Sequence, residues 1–165
     1  NREADLLRHE ADIAFRFRPE GLRPTPEVLF AQKLGDEPHA LFGTAEYLQR
    51  RGRPDDPVAL AGHDVCVYSG PHPAARWCEA AYREAEIVLS SPSMQVVAAA
   101  MATGLGLGVL PYRAARVHPG LHAISGVVAR GTGWLVVHPE LRRVPRVRVV
   151  IDALAALFRA DPITA

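Results

Sequence analysis

Three short polar stretches stand next to predicted strands, where their side chains could bind a small charged molecule. They are Arg16, Phe17 and Arg18 after the first strand, Ser69 and Gly70 after a later strand, and Ser90 and Ser91 shortly before a predicted helix. Guanidinium groups, hydroxyls and the N-terminus of a helix together suit a carboxylate, and strand-end loops of open α/β sheets commonly form such crevices. Taken alone, these residues favour a different interpretation, in which the arginines are solvated and the serines only cap the helix.

No residue of the sequence can be assigned a catalytic role. Ser69 and Ser90 each lie at a strand end, but neither occupies the G-x-S-x-G elbow that exposes a nucleophilic serine. Carboxylates are plentiful, yet a catalytic pair needs a convergence in space that spacing alone does not define. Catalysis has no support in the sequence, and we predict that the chain is not an enzyme.

The stretch GLGLG at residues 104–108 shares only its composition with a dinucleotide-binding fingerprint. That fingerprint needs glycines after a strand and before a helix, so that the helix N–H groups face the pyrophosphate. Here a predicted helix ends at Gly104 and a strand starts at Leu107. We therefore expect a tight helix-to-strand turn in which glycines let two backbones approach, and no nucleotide cofactor.

Histidines and cysteines do not form a metal-binding pattern. His118 and His122 are four residues apart, but the Pro-Gly pair between them disfavours a helix that would place both on one side. Cys66 and Cys78 form no C-x-x-C motif, so we expect two buried thiols in a reducing compartment rather than a disulfide. The sequence predicts no metal site and no cofactor.

Helices and short apolar strands alternate along the chain, which is typical of α/β folds with largely buried strands. Predicted strands cover residues 13–17, 28–34, 39–43, 65–68, 87–89, 107–110, 121–124 and 134–137. Predicted helices cover residues 2–10, 45–51, 93–103, 112–116 and 147–158, and the last has the clearest amphipathic spacing. The Gly-Asp-Glu-Pro stretch at 35–38 predicts a turn, and residues 74–85 fit either a helix or a hairpin.

The composition excludes several classes of function. Basic and acidic residues nearly balance, 19 against 18, so this chain alone has no strong field for nucleic acid or for an acidic membrane surface. No apolar run is long enough to span a bilayer, and the first residues are charged and unlike a signal peptide. We expect a cytoplasmic protein with no membrane partner.

Four stretches, read in order, resemble the effector-binding (substrate-binding) domain of LysR-type transcriptional regulators. They are EADIAFRFRPEG, LFGTAEYLQRRGRP, VVAAAMATGLGLGVLP and WLVVHPELRRVPRVRVVIDALAALF. Each stretch is weakly specific, but their order is characteristic and spans nearly the whole chain. The resemblance implies a ligand-sensing regulatory domain without chemistry of its own.

The family resemblance also implies an architecture, a periplasmic-binding-protein-like (type II) fold of two α/β lobes joined by two crossover strands. Lobe I would comprise residues 1–36 and 137–165, lobe II residues 37–136, and the crossovers would lie at 28–43 and 134–139. A hairpin is favoured over a helix around Trp77. A small organic anion or aromatic acid, held between the lobes near the three polar stretches, would bias the lobe arrangement.

Some parts that the resemblance implies are absent from this sequence. In the family, a homodimer or higher homo-oligomer of such domains controls DNA binding by an N-terminal winged helix-turn-helix, which this sequence does not contain. The first strand-helix-strand of lobe I is also absent. We therefore expect an N-terminally truncated lobe I, with the strand at 13–17 in a parallel sheet that lacks its first two members.

Two other functions stay open on the sequence. A solute-binding protein of a transport system could use the same fold, because fold does not fix function. A small α/β hydrolase or transferase is the enzyme-class alternative, and it would require a convergent nucleophile and base.

Overall fold

The structure, a computed structural model, describes residues 5–8, 10–24 and 28–160. The strands within these ranges are β1 (Ile13–Pro19), β2 (Phe30–Thr44), β3 (Asp64–Tyr68), β4 (Glu86–Ser91), β5 (Gly108–Pro111) and β6 (Leu121–Val137). The helices are α1 (Ala45–Arg51), α2 (Ala75–Ala81), α3 (Met94–Ala102), α4 (Tyr112–Ala115) and α5 (Pro145–Ala160). Short 3-10 turns cover Leu6–Arg8 and Leu141–Arg143. None of these helices is both long and apolar enough to cross a bilayer.

The chain forms two compact units. The first comprises the described residues of 1–36 and 131–160, and the second comprises residues 37–130. Strands β2 and β6 each contribute residues to both units, so the chain passes from one unit to the other along these two strands. The fold is mixed α/β.

The first unit is built on β1, β6 and the start of β2, with α5 on one face. Strand β1 pairs antiparallel with β6, from Ile13 opposite Val137 to Pro19 opposite Gly131. Apolar residues of α5 at a spacing of four, Val147, Ile151 and Ala155, are buried with Leu34, Leu135 and Val137 of the sheet. A parallel partner was predicted for β1, and that prediction is wrong for this pair, because β6 runs through the unit in the opposite direction.

The second unit is built on β3, which has parallel neighbours on both sides. β3 and β4 pair from Asp64 opposite Glu86 to Tyr68 opposite Ser91. On the other side, the amide of Cys66 donates to the carbonyl of Leu107, 2.8 Å away, just before β5. Buried side chains cover both faces of this sheet: Val65 packs with residues of α1 and α2, and Cys66 packs with residues of α3.

Local capping explains the helices that the sequence predicted best. The hydroxyl of Thr44 accepts from the amide of Tyr47 at 3.2 Å, and Gly52, with φ of 80°, ends α1. Ser93 accepts from the amide of Val96 and begins α3. The helices predicted at 45–51, 93–103, 112–116 and 147–158 are confirmed within one to two residues at most ends.

Three local predictions are wrong. Strand β2 runs unbroken through residues 35–38, where a turn was predicted, because Asp36 accepts from Thr132 at 3.2 Å and buried Glu37 binds Arg113 at 3.3 Å. Strand β6 is likewise continuous between the two strands predicted at 121–124 and 134–137. Residues around Trp77 form helix α2 rather than a hairpin.

Of the helix predicted at 2–10, only the 3-10 turn at Leu6–Arg8 is described, and residues 1–4 and 9 lie outside the described ranges.

The predicted tight turn at residues 104–108 is confirmed. Gly104 has a φ of 76°, a conformation that favours glycine. A Cβ added to Gly106 would stand 2.7 Å from the carbonyl oxygen of Asp64, and one added to Gly108 would stand 2.7 Å from that of Cys66. The two glycines therefore let the end of the turn approach the backbone of β3.

Candidate functional site

The carboxyl ends of β3 and β4 meet in the second unit and bring together residues from two of the predicted stretches. Tyr68 pairs with Ser91, and the amide of Ser69 donates to the carbonyl of Ser91 at 3.0 Å. Parallel strands end at the same edge of a sheet, which is where ligands of open α/β folds commonly bind. Ser69, Gly70 and Ser91 are thereby close neighbours.

Ser91 also connects this edge to helix α3. Its hydroxyl oxygen accepts from the amide of Ser93 at 3.1 Å, and Ser93 in turn caps the helix. The hydroxyl of Ser91 keeps its own proton available for donation. The amides of the first helical turn carry the partial positive charge of a helix N-terminus, which favours a bound anion.

Tyr68 and His72 form an aromatic wall in the same unit, and His39 lies near enough to His72 to interact with it electrostatically. The ring of Tyr68 lies over Gly70, where an added Cβ would stand 2.3 Å from the phenol oxygen. The rings of Tyr68 and His72 meet edge to face, with centroids 5.6 Å apart. His39 is buried on β2, and its Nδ1 lies 3.0 Å from the carbonyl of Glu37.

Burial lowers the pKa of both histidines. Burial lowers the pKa of His39 from 6.5 to about 4; the carbonyl of Glu37 partly opposes this shift, and the neighbouring His72 adds to it. Burial also lowers the pKa of His72. His39 is therefore neutral at physiological pH and presents an imidazole rather than a second cation.

Ser90 is placed apart from Tyr68 and Ser91. Successive residues of a strand point to opposite faces, and Ser90 pairs with Val67, whose side chain packs with the cluster that contains α2. Ser90 is exposed, whereas Ser91 is half-buried on the face of α3. The structure thus brings Ser69, Gly70 and Ser91 together and leaves Ser90 on the other side of the sheet.

The predicted residues of the first unit lie on both faces of β1. Arg16 and Arg18 share one face, on which their cross-strand partners are Trp134 and Thr132. A guanidinium nitrogen of Arg16 donates to the carbonyl of Pro24 at 3.1 Å. Phe17 points to the opposite face, and 41% of it is exposed. The two arginines are neighbours, and Phe17 is separated from them by the sheet.

Several residues of these two regions were not predicted from sequence. Trp134 and Thr132 could have been inferred only from the pairing of β1 with β6, which joins residues more than a hundred positions apart. His72 depends on the conformation of a proline-rich loop. Tyr68 had a local signal, because it is the last residue of a predicted strand directly before Ser69.

The thiols and histidines do not suggest chemistry. Cys66 and Cys78 are free and buried, as predicted, and burial raises the pKa of each thiol to about 11. Such thiols are poor nucleophiles. Among the residues that the structure describes, no three histidine, cysteine or acidic side chains are arranged to hold a metal ion.

Solved structures support the fold. The regulatory domain of CrgA, a LysR-type transcriptional regulator from Neisseria meningitidis, has a TM-score of 0.75 at 20% identity, and the alignment covers 93% of this chain and 78% of that one. The effector domain of AmpR from Pseudomonas aeruginosa has a TM-score of 0.67 at 16% identity, with 96% and 77% covered. Full-length AphB from Vibrio cholerae has a TM-score of 0.68 at 19% identity, with 96% and 56% covered.

The sequence itself carries a family match. No curated protein shows significant sequence similarity to the chain. The chain spans about three-quarters of the isolated regulatory domains and about half, 54%, of full-length CrgA. The model of the LysR substrate binding domain matches residues 1–159. Neither match supports a transport function. The chain belongs to the LysR substrate-binding domain family, with its periplasmic-binding-protein-like type II fold, and is a ligand-sensing regulatory domain.

Proposed function

We propose that this domain senses a small organic anion at the carboxyl ends of β3 and β4. The observation that carries the proposal is the convergence of Ser69, Ser91 and the start of α3 beside the aromatic wall of Tyr68 and His72. Hydroxyls and helix amides can hold a carboxylate, and the rings can contact an aromatic or aliphatic body. Phe17 and the arginines of β1 stay predictions, and Ser90, on the opposite face of β4, is not part of the proposed site.

The proposal is tested by calorimetric titration with a panel of aromatic and aliphatic acids. Ser69→Ala and Ser91→Ala should each weaken binding at least tenfold, because each removes a hydroxyl from the strand-end edge. Ser90→Ala is the matched control, since it removes the same group from the opposite face of β4, and it should change affinity less than twofold. Equal losses in all three variants, or no loss in the first two, would overturn the proposed site.

We propose further that the sensing domain acts in the cytoplasm as part of a longer regulator. DNA would be bound by a winged helix-turn-helix outside this chain. The full-length structural relatives, of which the chain spans about half, support this arrangement. The coding sequence upstream of Asn1 tests it, because a regulator of this kind must encode that motif there.

We propose that two copies of the domain associate through β4 and α3. Strand β4 is an edge of its sheet within the described ranges, and it exposes Ile87 (57%) and Val88 (36%), with Val96 (48%) on the adjoining helix. Unpaired strand edges with apolar side chains favour association. Ile87→Glu should reduce the mass measured by light scattering from that of a dimer to that of a monomer. Val117→Glu, at a more exposed site (73%), is the control and should leave the mass unchanged.

A further inference from the structure

A recess lies in the first unit, where the beginning of β2 meets the segment between β6 and α5. One part, of about 510 Å³, has an apolar wall of Val28, Leu29 and Phe30. The other part, of about 400 Å³, extends along α5 to Arg148. Both parts are lined by Phe30, Arg142 and Arg143, so they adjoin at these side chains; we call the whole the arginine groove. Its size suits a small organic molecule.

Positive charge is in excess at the arginine groove. Arg142 and Arg143, which line the groove, and Arg146, in the first turn of α5, are exposed, and none forms an ion pair with an acidic residue in the part of the chain that the structure describes. They precede or begin α5, which has no acidic residue in its first turn. Cations at this end of a helix are unfavourable, because the helix dipole is also positive there. A bound anion would relieve this repulsion.

Two carboxylates also line the groove and offset part of that charge, Glu140 in one part and Asp152 in the other. Glu140 lies 3.9 Å from the ring nitrogen of His138, and Asp152 lies 3.8 Å from Nε of Arg148. Asp152 thus engages Arg148 and Glu140 lies beside His138, which leaves the guanidinium groups of Arg142 and Arg143 for a ligand.

Arg142 is positioned for a ligand that has both a ring and a charge. Its guanidinium carbon lies 4.0 Å from the centroid of Phe30, a cation–π distance. This contact holds one face of the guanidinium plane and leaves the N–H edge available for an oxyanion. The apolar wall of the groove stands beside that edge and could contact the ligand's body.

We propose that the arginine groove is a second ligand site, which takes a small organic oxyanion, a phosphate monoester or a carboxylate, with an apolar ring or chain. The proposal is independent of the serine site of the second unit. The oxyanion contacts Arg142 and Arg143, and the apolar body lies against Val28 and Phe30.

The test is a calorimetric titration of the full chain with phenyl phosphate, benzoate, inorganic phosphate and phenol at fixed ionic strength. Phenyl phosphate or benzoate should bind at least tenfold more tightly than inorganic phosphate or phenol, because only they combine charge with a ring. The stronger of the two identifies the oxyanion. Arg143→Gln should weaken that binding at least tenfold, whereas Arg159→Gln, which removes an equal charge from the other end of α5, should change it less than twofold.

A second measurement separates the groove from general charge effects and from the serine site. The same ligand should raise the melting temperature of the wild type by several degrees more than that of Arg143→Gln, and Ser69→Ala should retain the part of the response that Arg143→Gln loses. Equal weakening by Arg143→Gln and Arg159→Gln, equal affinity for phenol, or loss in Ser69→Ala of the response that depends on Arg143 would each overturn the proposal.

Discussion

The two regions predicted to contact an effector differ in how the chain holds them. In the second unit, Ser69 and Ser91 are joined by a backbone hydrogen bond, and Ser91 is joined to Ser93 at the start of α3. In the first unit, Phe15 and Phe17 are more than 40% exposed on one face of β1. The region in the second unit is tightly constrained by its own hydrogen bonds. The region in the first unit keeps apolar surface that the described residues do not cover.

This difference extends into the interior of each unit. The second unit contains a buried histidine and glycines that touch the backbone of a neighbouring strand. In the first unit, the corresponding close approach is made by Gly133 to the ring of Phe17, an exposed side chain that can rotate. Substitutions and pH changes should therefore act more strongly on the second unit than on the first.

Acidification should produce the largest difference between the two units in the free energy of unfolding. His39 is neutral in the folded chain, with a pKa of about 4, and it has a pKa near 6.5 when unfolded. Between these values the unfolded chain binds a proton that the folded chain does not, so the free energy of unfolding falls as pH decreases from 6.5 to 4. The shift corresponds to about 3 kcal/mol, and His72 acts in the same direction.

Each unit contains one tryptophan that can report this loss. Urea unfolding followed by Trp77 fluorescence in a Trp134→Phe variant reports the second unit, and the reciprocal variant reports the first. We expect the Trp77 midpoint to fall strongly at low pH and to fall much less in His39→Gln. If the midpoint reported by Trp134 fell equally at low pH, the two units would unfold together, and the predicted difference in their stability would be wrong.

Two glycine substitutions should give the next largest difference. In Gly106→Ala the new methyl would stand 2.7 Å from the carbonyl oxygen of Asp64, and a backbone atom cannot move away cheaply. We expect a loss of about 2 kcal/mol. In Gly133→Ala the new methyl would stand 3.1 Å from the ring of Phe17, which can turn toward solvent, so we expect a loss below about 1 kcal/mol. Thermal denaturation of both variants measures this, and equal losses would argue against a more rigid second unit.

The parts of the fold that the sequence predicted well are those encoded by local contacts. Helix α1 lies between a threonine cap and a glycine with positive φ, and both signals stand in the sequence beside it. The amphipathic spacing of α5 similarly reflects the face that it buries. The expectation of a turn at 35–38 failed because Glu37 is held by Arg113, which lies 76 residues further along the chain. That contact cannot be inferred from the Gly-Asp-Glu-Pro stretch alone.

In the candidate site, too, the residues that could be predicted are those with a local signal in the sequence. Ser69 and Ser91 were predictable, because they stand at the ends of two strands that the sequence shows. Trp134 was not predictable as a neighbour of Arg16, because it depends on the register of β1 with β6. The separation of Phe17 from Arg16 follows from strand alternation alone, and could have been inferred from the predicted strand.

Removal of a helix cap in each unit should give the smallest difference in lost stability. Ser93→Ala removes the hydroxyl that accepts from Val96 at the start of α3, where Ser93 also donates its amide to Ser91. We expect a loss of about 1 kcal/mol. Asp5→Ala removes the carboxylate that accepts from the amides of Leu7 and Arg8, but at an exposed 3-10 turn, so a loss of about 0.5 kcal/mol is expected. Ser93→Asp should restore most of the stability, because aspartate is an equally good cap. Thermal denaturation decides the order; a larger loss in Asp5→Ala would show that the first unit depends more on its 3-10 turn than the second does on α3.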